Sequence, residues 1–197
     1  MDALIKTLDY LTKTNVFVVD LLQKGLTENK IKQILKTKGL KVRDEIKELY
    51  QTVNGTSVSD TYLGLQYFFP GNIMLSLEKA IELYDEECIE YASWEEGYLP
   101  IFWNGNRDYL LVDCLNKKCG VYFYSPDEFR FDGIVKKYDT MELLFATVLQ
   151  CFEVKAYQLG RTLEDIKYDG ELVIAISKQM NPESVYWDFK PPLSLDC

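Results

Sequence analysis

The sequence predicts an α+β fold, and two observations support this prediction. Apolar residues recur with the spacing of a helix in the segments before residue 54 and again after residue 139. Between residues 99 and 124 the pattern changes to an alternation of apolar side chains, interrupted by short polar turns. The chain has 197 residues, 47% of them hydrophobic, so it is long enough to bury a core as a single domain spanning residues 1–197.

Three helices are predicted in the first quarter of the chain. The first spans residues 2–23, where leucines repeat on one face, although a β-branched run weakens its second half. Thr27 is placed to cap the second helix, which Gly39 would end. The third would end at Asn54-Gly55, because both residues tolerate the left-handed conformation.

The middle of the chain predicts one more helix and a series of antiparallel strands. Ser76 is placed to cap a helix, and polar turns such as Asn104-Gly105-Asn106 would join consecutive strands as hairpins. The strands are expected at residues 65–69, 99–103, 109–113 and 119–124, with one or two more between 129 and 135.

The apolar pattern in the last third of the chain predicts two further helices. The first would start at Asp139, with Glu142 in a capping box, and it is apolar almost all round. We therefore expect it to be covered by the sheet on one side and by the segment after residue 155 on the other. In that segment residues 171–180 read as helical, and three aromatic residues near the C-terminus would anchor the tail to the core.

The composition excludes several kinds of chemistry. Histidine is absent, which removes Ser-His-Asp and Cys-His catalysis and His-ligated zinc. The five cysteines lack a C-x-x-C pair and are predicted to be reduced, with a disulfide between Cys114 and Cys119 left open. No cofactor and no metal is predicted. The start of the chain lacks the apolar core of a signal peptide, and no segment is apolar enough to span a membrane, so a cytoplasmic location is expected.

The net charge of −9 is concentrated in one part of the sequence. Residues 51–100 hold nine carboxylates and one lysine. Such acidity argues against nucleic-acid binding and is compatible with steering toward a basic protein partner, although a solvated acidic surface without function would look the same. The residues predicted to bind that partner are Asp85, Glu86, Glu87, Glu90, Trp94, Glu95, Glu96 and Trp103.

Four short motifs occur in a characteristic order. A helix ends in Leu49-Tyr50 and Asn54-Gly55, and a second begins with Leu75-Ser76-Leu77-Glu78. Strand motifs follow at Leu99-Pro100-Ile101, Gly105, Asp108-Tyr109, Val112-Asp113 and Gly120-Val121-Tyr122. This succession resembles the SUKH superfamily, the Smi/Knr-type, cell-wall-assembly-regulator-like proteins. The similarity covers residues 26–152, with a departure at Leu40-Lys41-Val42, where the family usually has Leu-Pro.

The resemblance implies a twisted, mainly antiparallel sheet flanked by helices. Residues 1–25, predicted as an N-terminal helix, and residues 153–197, predicted as a helical extension packed on the core, lie outside the family pattern. It also implies a non-catalytic protein-binding role. Bacterial members are typically immunity proteins that bind and neutralise a toxin, often one that acts on nucleic acid. Fungal members regulate cell-wall assembly, so an intracellular regulator or scaffold is the alternative. A small enzyme that uses carboxylate, Tyr or Cys chemistry is the third possibility. The oligomeric state is not predicted.

Overall fold

The computed structural model describes residues 1–57, 61–115, 120–128 and 130–189. Within them the α-helices are α1 (Asp2–Lys13), α2 (Glu28–Lys36), α3 (Asp44–Thr52), α4 (Leu77–Leu83), α5 (Met141–Glu153) and α6 (Gly170–Met180). The strands are β1 (Leu22–Lys24), β2 (Val53–Thr56), β3 (Ile73–Met74), β4 (Tyr98–Trp103), β5 (Tyr109–Asp113), β6 (Val121–Tyr124), β7 (Val135–Tyr138), β8 (Tyr157–Gln158) and β9 (Lys167–Tyr168). The predicted α+β fold is confirmed.

The central sheet is a five-stranded antiparallel meander in the order β3-β4-β5-β6-β7. The register pairs Trp103 with Tyr109 and Tyr109 with Tyr124, so these three aromatic residues lie side by side on one face. The other face presents Phe102, whose ring lies 6.2 Å from that of Phe145 in α5. The two faces therefore carry different layers, with α5 on one and the segment that follows α4 on the other.

The apolar helix α5 is covered by other elements on more than one side, as its almost uniformly apolar composition requires. Leu144, Phe145 and Val148 are fully buried, and both α1 and α6 pack against the helix. Its N-cap is Thr140 rather than the predicted Asp139, because the Thr140 hydroxyl accepts the hydrogen bond from the Leu143 amide. Glu142 is not part of a capping box, since it accepts a hydrogen bond from the amide of Ala3 and so holds the start of α1.

Other elements also differ from the predictions. Helix α1 ends at Lys13 instead of residue 23, because Asn15 adopts a positive φ of 53° and a 3-10 turn, Phe17–Leu21, follows. The strand predicted at residues 65–69 is wrong. A 3-10 turn, Leu63–Gln66, occupies its start, and the first strand of the sheet begins only at Ile73.

Asn54 and Gly55 do not end α3 as predicted, because the helix ends at Thr52 and the chain turns extended at Val53. Both residues lie in strand β2, where they fix the start of α4. The Asn54 side chain accepts a hydrogen bond from the Leu77 amide at 2.9 Å and donates one to Glu78 at 3.0 Å. Gly55 has a φ of 65°, and a Cβ there would lie 2.3 Å from the backbone of Leu75. The motif thus positions α4, the helix that leads into residues 84–96, which we call the acidic segment.

The C-terminal part of the chain packs on the edge strand β7. The indole of Trp187 donates a hydrogen bond to the carbonyl oxygen of Lys137 at 2.7 Å, and the hydroxyl of Ser184 donates one to that of Lys136 at 2.9 Å. Asn181, which follows the last residue of α6, is fully buried, and its side-chain amide donates a hydrogen bond to the hydroxyl of Thr147 in α5. One continuous apolar core runs from Ala3 to Trp187.

Candidate functional site

The acidic segment begins with a π-helical turn, Tyr84–Glu90, that continues α4 without a break. Its i→i+5 geometry is visible in the hydrogen bond from the Tyr91 amide to the carbonyl oxygen of Glu86 at 3.0 Å. The chain then reverses at Ala92, which has a φ of 51°. The wider turn places Glu87 and Cys88 inward and leaves Glu86 and Glu90 exposed on the outside.

The structure gives the eight residues predicted to bind a partner different surroundings. Glu86, Glu90, Glu95 and Glu96 are exposed and form no ion pair with any described residue. We call these four carboxylates the acidic face. Asp85 is half-exposed and already paired with Lys38 at 2.6 Å. The remaining three, Glu87, Trp94 and Trp103, have different surroundings.

Glu87 is buried, with only 5% of its surface exposed, and it is held by four hydrogen bonds. Arg107 binds both carboxylate oxygens, at 3.2 and 2.8 Å, and the hydroxyls of Ser93 and Tyr109 donate at 2.7 and 3.2 Å. Burial alone would raise the pKa of Glu87, but the hydrogen bonds from Arg107 and Ser93 lower it. Glu87 therefore joins the acidic segment to the β4–β5 hairpin instead of presenting a free charge.

The two tryptophans also differ. Trp94 is buried and packs edge-on against the rings of Tyr109 and Tyr124, at 5.1 and 5.2 Å, while its indole donates to the carbonyl oxygen of Tyr98. It belongs to the core. Trp103 is only partly buried, and its indole donates to the carbonyl oxygen of Asn106 in the hairpin turn.

A groove of about 700 Å³ lies between the acidic segment and the tip of the β4–β5 hairpin. Its lining residues are Lys79, Leu83, Glu86, Glu87, Tyr91, Trp103, Asn106, Arg107 and Tyr109. Next to it is a smaller, mainly apolar pocket of about 220 Å³, which shares Lys79 and Trp103 with the groove. The two cavities are thus neighbours, and Trp103 lies between them.

Sequence reasoning missed three features of this surface. Ile89 and Tyr91 are large apolar side chains that remain 54% and 59% exposed beside the acidic face. Thr56, on the wall of the smaller pocket, is buried, and its hydroxyl has no hydrogen-bond partner among the described residues. The acidic residues around Tyr91 were visible in the sequence, whereas the exposure of Ile89 and Tyr91 and the unpaired hydroxyl of Thr56 could be found only from the fold.

The thiols and carboxylates of the described residues give no sign of a metal site or of a reactive cysteine. Within the described ranges no three Cys, Asp or Glu side chains converge to hold a metal ion. Cys88, Cys114 and Cys151 are buried free thiols, and burial raises the pKa of Cys114 to about 12. Cys119, the other member of the disulfide left open above, lies outside the described residues. None of the described helices is long and apolar enough to cross a bilayer.

The fold and this surface define an α+β protein in which an antiparallel meander carries a groove lined by aromatic and charged side chains. A family model described as the SMI1 / KNR4 family (SUKH-1) matches residues 25–147. The match spans more than half of the chain, so the protein belongs to this family, and the predicted resemblance is confirmed. No curated protein matches the chain significantly.

Proposed function

We propose that this protein is an immunity protein that binds a cognate toxin through the acidic face and the adjoining groove. The carrying observation is that Glu86, one of the four unpaired and exposed carboxylates, lines a groove together with the exposed side chain of Tyr91, and that a smaller apolar pocket adjoins this groove. Membership of the SMI1 / KNR4 family supports a protein–protein role. Catalysis has no part in this proposal.

The cavities supply places for a partner's side chains. Stable interfaces concentrate their binding energy in a few buried anchors that fill pockets, with a polar rim around them. Here Trp103 and Tyr91 line the groove, and the smaller pocket offers apolar walls together with the unpaired hydroxyl of Thr56. An apolar side chain that carries a hydrogen-bonding group would satisfy that hydroxyl.

The charges determine which partner would be favoured. A toxin that acts on nucleic acid needs a basic groove to hold phosphates. The acidic face can occupy such a groove and speed its encounter, since complementary potentials raise association rates. Because Asp85 and Glu87 are engaged with Lys38 and Arg107, the steering charge belongs to the four free glutamates.

The first test is co-expression with the protein encoded by the adjacent open reading frame, scored by rescue of growth and by co-purification. We expect the wild-type chain to rescue growth and to co-purify with that protein. Trp103→Ala should weaken both effects, since it removes the side chain shared by the two cavities.

The matched control is Ile5→Ala, which alters another apolar side chain, 51% exposed on α1, that lines neither cavity. It should bind and rescue as the wild type does. A neighbouring protein that is toxic but neither bound nor neutralised would contradict the proposal, and the regulatory role implied by the resemblance would then be favoured.

A further inference from the structure

The groove between the acidic segment and the β4–β5 hairpin tip is lined by four charged side chains, and three of them are already engaged. Arg107 is paired with Glu87 at 2.8 Å. Lys79 is paired with Glu82 at 2.6 Å. Glu86 is exposed and forms no ion pair with any described residue. The uncompensated charge of the groove is therefore the negative charge of Glu86.

Two accessible aromatic rings line the same groove. Tyr91 is 59% exposed, and Trp103 is only partly buried. The indole N–H of Trp103 donates a hydrogen bond to the carbonyl oxygen of Asn106, so one edge of the ring is fixed against the hairpin turn. Because the face of an aromatic ring is electron-rich, it attracts a cation placed over it. The rings and the free carboxylate thus favour the same kind of ligand.

The negative potential extends to Tyr109, which also lines the groove. Its hydroxyl donates a hydrogen bond to Glu87 at 3.2 Å. Burial raises the pKa of Tyr109, and the charges of Glu87 and Glu86 raise it further, against the opposing effect of Arg107. A cation that enters the groove therefore meets carboxylates and ring faces, whereas an anion is repelled by Glu86.

We infer that the groove binds an arginine side chain of the protein partner. This inference rests on the proposed immunity function and specifies which side chain of the toxin enters the groove. A guanidinium is planar, so it can stack on the ring of Trp103 or Tyr91 while its N–H groups donate two parallel hydrogen bonds to the carboxylate of Glu86. Both features of the groove are then used by one ligand group.

Arginine fits this groove better than lysine does. The ammonium group of a lysine has no flat face to stack on a ring, and it is more strongly hydrated than a guanidinium, so it loses more on leaving water. Arginine is also the side chain of choice for holding the phosphates of nucleic acid. An arginine from the substrate-binding surface of such a toxin would be withdrawn from its substrate when it enters the groove.

The test uses the isotope-labelled full chain and three small probes, the N-acetyl amides of arginine, lysine and citrulline. Citrulline has the shape of arginine but carries an uncharged urea group. Each probe is titrated to about 20 mM at about 0.05 M NaCl, where exposed charges are weakly screened. The indole N–H signals of the three tryptophans are followed by NMR. Trp103→Phe identifies the signal of Trp103, and the buried Trp187, which does not line the groove, is the internal control.

We expect the arginine probe to shift the Trp103 signal with a dissociation constant on the order of a millimolar, as its size allows. The lysine probe should bind about threefold and the citrulline probe about tenfold more weakly. Glu86→Gln should weaken binding of the arginine probe about fivefold, the effect of losing an exposed ion pair. Glu153→Gln neutralises an exposed carboxylate of α5 that lines neither cavity, so it should leave this binding unchanged.

Three results would overturn the inference: a Trp103 signal that the arginine probe does not move, equal binding of the arginine and citrulline probes, or equal binding of the arginine probe by the wild type and Glu86→Gln. These results are separate from the co-expression test. Rescue of growth without arginine binding would leave the immunity function in place with a different anchor. Arginine binding without rescue would contradict the immunity function and retain the site.

Discussion

Glu87 differs from the carboxylates around it in sequence, although all were predicted to do the same work. It has the same charge as Glu86, but it is buried and bound by Arg107, Ser93 and Tyr109. The sequence could not separate the two, because the choice depends on a π-helical turn and on an arginine twenty residues further along the chain. Trp94 was assigned to the surface for the same reason, since its partners Tyr109 and Tyr124 become neighbours only in the folded sheet.

Replacing Glu87 by Gln should destabilise the fold without unfolding it. The change removes the ion pair with Arg107 and part of the charge-assisted hydrogen bonding, which is worth about 2 kcal/mol of the free energy of unfolding. Urea denaturation near neutral pH measures this difference. Glu90→Gln, a substitution on the exposed part of the same turn, should change stability by less than about 0.5 kcal/mol.

The same variant should have a defined pH dependence. Because the pKa of Glu87 is lowered in the folded state, its contribution is present above the usual value of 4.5 and is lost as the pH falls through the lowered value. The stability difference between the wild type and Glu87→Gln should therefore shrink in acid. A difference that stays constant with pH would mean that the charge of Glu87 does not hold the hairpin.

At the scale of elements, the local patterns predicted helices and hairpins better than the connections between them. The alternation in β4 and β5 and the polar turn between them were sufficient to predict a hairpin, since the signals are local. The apolar stretch at residues 65–69 was misleading because burial alone does not distinguish a strand from a 3-10 turn. The π-helical turn was not predictable, since its side-chain pattern over so few residues resembles that of an α-helix.

The C-terminal segment is the element whose role is easiest to test. Trp187 is 4% exposed, bonds to the backbone of β7 and packs against Tyr138 at 5.7 Å. Trp187→Ala should lower the free energy of unfolding by about 3 kcal/mol and reduce hydrogen-exchange protection in β7. Val185→Ala, 54% exposed on the same turn, is the control and should have little effect. Unchanged protection of β7 in the Trp187 variant would show that the segment is an appendage and not part of a single domain.

On the scale of the whole molecule, both the family and the fold class could be predicted from the sequence. The matched region, residues 25–147, agrees closely with the segment that the motifs indicated. The candidate binding surface could be predicted only in part. The sequence located the acidic segment, but only the fold shows the groove and the smaller pocket. Only the fold also separates the free carboxylates from those that form ion pairs. Four of the unpaired carboxylates that contribute to the net charge of −9 lie in the same segment as the exposed side chains of Ile89 and Tyr91.

The central claim is that four free glutamates attract a basic toxin, and the salt dependence of binding tests it most directly. The affinity of the purified chain for the adjacent gene's product is measured by calorimetry between about 0.05 and 0.5 M NaCl, where screening shortens the range of exposed charges. The variants are a reversal of the acidic face, Glu86, Glu90, Glu95 and Glu96 to Lys, and a control reversal of four other exposed carboxylates, Asp9, Asp132, Glu153 and Glu164 to Lys.

The wild type and the control should bind tightly and lose affinity as salt rises. The reversal of the acidic face should weaken binding on the order of a hundredfold at low salt and remove that loss of affinity with salt. Equal affinity and equal salt dependence in all three proteins would contradict the account.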